Sequence, residues 1–558
     1  MPIDSPPRRR VLAAIAALAA SRALPGAGPA ATPPSDFCAN GSIFERPVAL
    51  PGRDGYMGYY AIGGPFRMRA AAADGGPMPL AYRVADRDRE WRNPVLVAER
   101  GAPMRVTLDN ALDAPTIVHW HGLRIDGAND GNGDRVADPG ARFDYAFDIA
   151  NRAGVYWYHP HPHGLTAGQA HRGLFGVLLV DDGEDRALNA ALRAERGRSD
   201  LVLALSDRRS DARATYAPSA DDLVGGYLGD EMMVNGTPRP WLDVASRGYR
   251  LRIVNAANAR TFRLAFRGDD GALLAFMLLG TDGGLLARPI ACREVFVASA
   301  ERVDLWIDFA GRAIGDSIVM ESLDFDPMHG EAHGAHAPAA AATPASAAAA
   351  ERATPAVPMP ESTAMAHAGH AATSNAAGMS TSAIGDGARL SLLQFRIRER
   401  TAASPAPPAL LSTLAPARTG DADAVPFRLS FAKSRWRIND RVFDMAGEPL
   451  VVPRNTVQTW LLRNYYTSMP HAMHLHGFTL RVLAREQSPD FLAPLVVDAQ
   501  GRLATDLGAK DTVLVWPGES VRVAIDFACA FAGPQDYLLH CHNLEHEDGG
   551  MMLRVRVV

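Results

Sequence analysis

Cysteine is scarce: the 558-residue chain has four, Cys38, Cys292, Cys529 and Cys541. That excludes a disulfide-stapled scaffold. If Cys541 holds a metal, at most one disulfide and one free thiol remain, and spacing does not choose the pair. Charge of one sign is also lacking. The net charge of −5 and pI near 6.4 carry neither the nucleic-acid nor the membrane-surface signature. The apolar run Ala13 to Ala20 is too short to span a bilayer. Histidine is missing from residues 200–325, so no imidazole chemistry resides there. What is abundant points to β-structure. The 47% hydrophobic content supports large cores, and 50 Gly with 40 Pro supply many turns. The length suggests roughly three or four domains.

The chemistry concentrates near the C-terminus. Tyr537-Leu538-Leu539-His540-Cys541-His542-Asn543-Leu544-Glu545-His546 continues to Met551. Read as a strand end, it sends His540 and His542 to one face and Cys541 to the other. A thiolate between two oppositely directed imidazoles can link two metal sites through a few covalent bonds. Cys541, His546 and Met551 offer a thiolate, an imidazole and a weak axial thioether. One more histidine completes a set suited to electron-transfer copper.

Along the chain, Arg8-Arg9-Arg10 followed by the short apolar run and small residues reads as a twin-arginine signal peptide over 1–31. The expected destination is the periplasm, with no membrane span in the mature protein. A first β-domain is expected over 44–182. It contains His119-Trp120-His121-Gly122 and, about forty residues on, Tyr158-His159-Pro160-His161. A second β-domain is expected over 195–325. From 326 to 386 Ala, Pro, Ser and Thr dominate, with five histidines and several methionines. This arm is expected to be disordered, with a soft-metal collecting role and incidental histidines equally open. The third domain is expected over 387–558. It holds His471-Ala472-Met473-His474-Leu475-His476 and the closing His-Cys-His stretch.

Of 17 histidines, five lie in the arm and ten in four short clusters; only His163 and His171 are left over. Each His-x-His places two imidazoles on one strand face, a spacing suited to adjacent metals. Imidazole alone does not name the metal; the thiolate, imidazole and thioether together favour copper.

With these motifs in place, the chain resembles the three-domain multicopper oxidases: laccases, bacterial cuprous oxidases and copper-resistance oxidases. The resemblance runs from about residue 44 to 558, outside the arm. It implies an all-β fold of three cupredoxin-like Greek-key sandwiches and four coppers per chain. By resemblance, His471, Cys541, His546 and axial Met551 hold a type 1 copper. His119 and His474 hold a type 2 copper. A type 3 pair falls to His121, His159 and His542 on one ion and to His161, His476 and His540 on the other. Asp130 and Glu547 match the family's proton-relay acids. The implied reaction takes single electrons from a reductant and passes them through Cys541 to dioxygen, giving water. Expected partners are dioxygen and a small-molecule or Cu(I) reductant, the chain acting as a monomer. Met469 matches a methionine of the family's Cu(I) site, but Thr467 stands where that site has an acid, and Leu390 to Thr401 lacks its other Met and Asp. Phenols and aromatic amines are therefore the expected reductants, with Cu(I) close behind. A copper store without turnover and a metal-free structural protein are the competing classes; retention of all ten cluster histidines weighs against both.

Overall fold

The structure is a computed structural model. It describes residues 44–48, 50, 56–73, 78–209, 216–328, 384–420 and 423–558. The signal-peptide reading, Cys38 and nearly all of the Ala/Pro-rich arm fall outside them.

Alternation of apolar and polar residues builds the first sandwich. Pro103–Asn110 (PMRVTLDN) buries every second side chain, as a strand with one face on a core must. It lies in a five-stranded sheet with Glu90–Arg92, Leu80–Ala85, Phe66–Ala72 and Arg142–Asp148. The facing sheet contains Tyr59–Ala61, Val95–Glu99, Gly176–Asp181, Gly154–Pro160 and Val118–His121. Every residue of the last two strands is buried, so their alternation is concealed. The third sandwich repeats the plan. Arg435–Ile438, Val425–Ala432, Val457–Asn464, Ser520–Asp526 and Leu480–Glu486 face Leu450–Val452, Met552–Val557, Gln535–Cys541, His471–Leu475 and Thr512–Val515.

The middle sandwich packs a seven-stranded sheet on a six-stranded one. Its strand Gly248–Asn255 carries two fully buried arginines. Arg250 pairs with Asp185 and Asp304, and Arg252 with Asp185 and Asp200, so neither charge is left uncompensated.

Two expected boundaries shift. Leu390–Glu399, read as the start of the third domain, is an interior strand of the middle domain's six-stranded sheet. It lies antiparallel to Ser317–Ser322 and parallel to Pro240–Ala245. The arm is therefore inserted between two paired neighbours of one sheet. The entropy of closing a loop grows only slowly with its length, so the long insertion does not prevent the pairing. Arg46–Pro47, read as the start of the first domain, also joins this sheet, alongside Pro240–Ala245. The edges of the arm are tied down. The Arg260 guanidinium donates to the Ile384 and Gly385 carbonyls, and the Phe325 N–H to the Gly387 carbonyl. Cys292 and Cys529 are free thiols and do not pair with one another.

Candidate metal centre

Strand parity sets the site. In Val118–His121, His119 and His121 share a face while Trp120 turns into the first core. The antiparallel neighbour Gly154–Pro160 places His159 opposite His119, and His161 follows just past its end. In the third sandwich, His471–Leu475 runs antiparallel to Gln535–Cys541, with His474 opposite His540 and Met473 opposite Cys541. His474 and His476 therefore share the His540 face, while His471 shares the Cys541 face.

The two sets of imidazoles meet. Ring nitrogens of His119, His121 and His474 lie within 4.8 Å of one another; so do those of His121, His159 and His542, and of His161, His476 and His540. The rings of His119 and His476 stack at 3.8 Å, as do those of His121 and His474. All eight histidines are buried.

Most of these rings are anchored through one nitrogen and point the other inward. His119 Nδ1 donates to the Asp130 carbonyl at 2.7 Å, His159 Nδ1 to the Pro160 carbonyl at 2.9 Å and His540 Nδ1 to the Cys541 carbonyl at 3.0 Å. His474 Nδ1 faces the Asp511 carbonyl at 2.9 Å, and His542 Nδ1 lies 3.3 Å from the Ser299 hydroxyl. His121 is reversed: its Nε2 meets Asp511 Oδ1 at 3.0 Å, leaving Nδ1 inward. Outer oxygens that fix ring orientation in this way are the usual second layer of a metal site. Among the described residues, the inward Nε2 atoms of His119, His161 and His474 find no hydrogen-bond partner and are buried. Burial, then repulsion from neighbouring imidazoles, holds His119, His159 and His161 well below the ordinary histidine pKa. Neutral, converging, unpartnered imidazole nitrogens fit metal cations, which need such lone pairs and offset their desolvation.

A separate group surrounds the thiol. Cys541 Sγ lies 3.6 Å from His471 Nδ1 and 3.5 Å from His546 Nδ1. Burial pushes the Cys541 thiol up to about 12 and pulls His546 down to about 3. A buried thiol with that pKa becomes a thiolate near neutrality only beside a cation, so this donor set also fits a metal. Met551 is fully buried; its N–H donates to the His546 carbonyl and its carbonyl accepts from the Cys541 N–H. Backbone bonds thus bring Met551 to the same site.

Both expected relay acids reach the site. Asp130 Oδ2 accepts from His476 Nδ1 at 2.7 Å. The loop carrying it crosses the first histidine strand closely: a Cβ on Gly131 (φ +73°) would stand 2.0 Å from the Val118 carbonyl oxygen. Glu547 spans two imidazoles, 3.4 Å from His161 Nε2 and 3.3 Å from His540 Nδ1. Burial is the main cause that raises both carboxyls well above the usual range. Met469 is half-buried against the third core, its carbonyl accepting from Asn464. His171 packs on Tyr227, with ring centroids 4.7 Å apart, and His163 on Phe443 at 5.2 Å; among the described residues neither belongs to one of the grouped donor sets.

Sequence reasoning missed the middle domain's part. Arg302 donates to both oxygens of Asp511, at 2.7 and 2.5 Å, across the domain boundary. Asn258 donates to Glu545 at 2.8 Å, and Val224 supplies its carbonyl to His546. None of these residues carries a motif. Contact across domains is their only signal.

Comparison with known proteins agrees with this geometry. Two family models, both described as Multicopper oxidase, match residues 81–185 and 414–558. The multicopper oxidase mco of Staphylococcus haemolyticus is 24% identical over 83% of this chain and 81% of its own length. The bilirubin oxidase of Albifimbria verrucaria is 27% identical over 82% of this chain and 70% of its own. The McoA multicopper oxidase of Aquifex aeolicus superposes with a TM-score of 0.74 at 28% identity, over 92% of this chain and 99% of that one.

Proposed function

The chain belongs to the three-domain multicopper oxidases, copper-dependent oxidoreductases, and we propose that it is laccase-like, oxidising phenols or aromatic amines and reducing dioxygen to water. One observation carries the reading: eight imidazoles from the first and third sandwiches converge, and His540-Cys541-His542 ties them to the thiol site. Four coppers, when bound, would supply single-electron transfer at the thiolate and four-electron reduction of dioxygen at the histidine cluster.

The chain's own residues divide the work. His471, Cys541 and His546, with Met551, would hold the type 1 ion. His119 and His474 would hold the type 2 ion. His121, His159 and His542, and His161, His476 and His540, would hold the type 3 pair. Cys541 is the covalent conductor, because its backbone neighbours on both sides are ligands of the histidine cluster. Asp130 and Glu547 lie against ligand imidazoles and would hold and pass the protons that water formation needs. Burial excludes bulk water from the cluster, so these carboxylates are the positioned acid–base groups within it.

Copper content per chain, an absorption spectrum and oxygen uptake with a phenol test the reading. Four coppers, an intense blue band and phenol-dependent uptake support it. Copper without uptake would make the protein a store. Cu(I) oxidation is the second reading, favoured by Met469 beside His471 and by the methionines of the arm; exposed Thr467, in place of an acid, weighs against it. Steady-state kinetics with Cu(I) and a phenol, with and without residues 326–386, separate the two. The twin-arginine pattern supports a periplasmic site of action for a protein exported already folded.

A further inference from the structure

One turn of the middle sandwich reaches the histidine cluster, although that domain supplies no imidazole to it. It joins Glu294–Val297 to Arg302–Asp308 and carries Ser299, Ala300 and Glu301. Ala300 is fully buried at φ +71°, a conformation uncommon for a residue with a Cβ and kept only where the surroundings dictate it. Here they do. The Ala300 N–H donates to the Asn255 carbonyl at 2.9 Å, and Glu301 accepts from the Ala298 N–H at 2.8 Å while pairing with Lys510 at 2.9 Å. Arg302 ties off the turn. Its N–H donates to Asp282 at 2.8 Å, and its guanidinium donates to the Val155 and Ala300 carbonyls, each at 3.0 Å.

Two side chains of this turn act on imidazoles. The Ser299 hydroxyl donates to the Ala257 carbonyl at 2.7 Å, which leaves its lone pairs to accept from His542 Nδ1 at 3.3 Å. Arg302 donates to both oxygens of Asp511, and Asp511 Oδ1 accepts from His121 Nε2 at 3.0 Å. Gly122 (φ +85°), next to His121, makes room for that pair: a Cβ there would stand 2.5 Å from Asp511 Oδ2 and 2.8 Å from Arg302 Nη2. Each contact occupies the outer nitrogen of a ring and aims the other inward. The inward atoms converge, with His159 Nε2 3.3 Å from His121 Nδ1 and 3.4 Å from His542 Nε2.

His121, His159 and His542 form one donor set, so the turn holds two of its three rings. The set of His161, His476 and His540 is anchored from the other two sandwiches. Asp130 accepts from His476, the Cys541 carbonyl accepts from His540, and Glu547 lies against His161 and His540.

We infer that Ser299 and Arg302 are positioning residues for one ion of the type 3 pair, that of His121, His159 and His542, and that the other ion is independent of the middle sandwich. The inference rests on the oxidase reading and adds an asymmetry to it. A ring that loses its outer acceptor is free to turn or change tautomer, and its inward lone pair is no longer fixed on the metal. Asp511 Oδ1 also lies 3.5 Å from His474 Nδ1, but that nitrogen already faces the Asp511 main-chain carbonyl at 2.9 Å. Ser299 is therefore the cleaner probe, and Arg302 the second.

The test titrates the copper-loaded chain with EDTA and follows copper per chain, the blue absorption and the number of unpaired spins by electron paramagnetic resonance. A coupled copper pair is silent in that measurement, and losing one member makes the other visible. Ser299→Ala and Arg302→Lys should each release a first copper at an EDTA concentration about tenfold or more below that for the unaltered chain. At that point the blue band should be undiminished while the spin count rises by one. Coppers leaving together, a fall in spin count with the first copper, early loss of the blue band, or titrations that superimpose on the unaltered chain's would each overturn the assignment. The unaltered chain keeps the two readings apart. If it holds no silent copper pair, the oxidase reading falls; if it holds one and the variants titrate alike, only the positioning role falls.

Discussion

His476 donates its Nδ1–H to the Asp130 carboxylate at 2.7 Å, joining an acid of the first sandwich to an imidazole of the third. The same loop anchors His119 through the Asp130 backbone carbonyl. One turn therefore orients two imidazoles that stack on each other from different domains. Asp130→Ala removes the acceptor for His476 and should lower copper occupancy or turnover by roughly 10–100-fold. Asp130→Asn keeps an acceptor oxygen without the charge, so copper content should stay near that of the unaltered chain while turnover drops. Copper per chain and kcat, measured together, separate orientation from proton transfer.

Cys541 is the cysteine grouped with His471 and His546, its Sγ 3.6 Å and 3.5 Å from their Nδ1 atoms. Cys541→Ser should abolish the blue absorption and the oxidation of any reductant, yet leave the circular dichroism spectrum unchanged. Surviving activity would show that the type 1 assignment is wrong.

Burial holds the Cys541 thiol protonated, up to about 12. Metal-free protein should therefore resist alkylation at this position near pH 8. Loading with copper at pH 7 should release a proton from it, because only the thiolate is a ligand. A pH-stat titration counts released protons, and Cys541→Ser should release one fewer. Cys292, also raised to about 12 by burial, should stay unreactive throughout.

Arg302 and Asp511 form a fully buried ion pair between the middle and third sandwiches, and Asp511 also meets His121 at 3.0 Å. Asp511→Ala would leave the buried guanidinium with only the more distant Asp282, at 3.8 Å, as an ionic partner among the described residues, at a cost of up to about 3–5 kcal/mol. A lower melting temperature, in both metal-free and loaded protein, is the expected result. An unchanged melting temperature would mean that the domains are held together without this contact.

Asp386 gives a pH dependence away from the metal site. Burial raises its carboxyl from 3.8 to about 6, against the opposing pull of Arg260. The folded chain therefore binds a proton there that the unfolded chain has already lost above its own pKa. The contribution is present below about pH 4 and is lost as pH rises toward 6. Partial exposure of the residue reduces it to roughly 1 kcal/mol. Asp386→Asn should flatten the stability profile between pH 4 and 6 and raise stability at pH 7; thermal melts across that range check it.

The histidine clusters were legible because strand geometry has a period of two. His119 and His121, or His540 and His542, must share a face wherever the strand lies, and Cys541 must take the other. The domain limits were less legible. Leu390–Glu399 reads as a strand, but nothing in its own residues says which sheet it will join. Its partner Ser317–Ser322 lies on the far side of a long insertion.

Residue spacing alone sets the donor inventory: which imidazoles could face a metal, which thiol could bridge two sites, and that the middle domain would supply no imidazole ligand. How those donors are held and reached follows from the packing of one sandwich on another. Asp511 with Arg302, Glu545 with Tyr227, and the Val224 carbonyl over His546 are pairings between residues hundreds of positions or a whole domain apart. Periodicity along one strand reports what a residue faces within its own sheet. Docking of one sandwich against another depends on the complementarity of complete surfaces, and no local spacing encodes that.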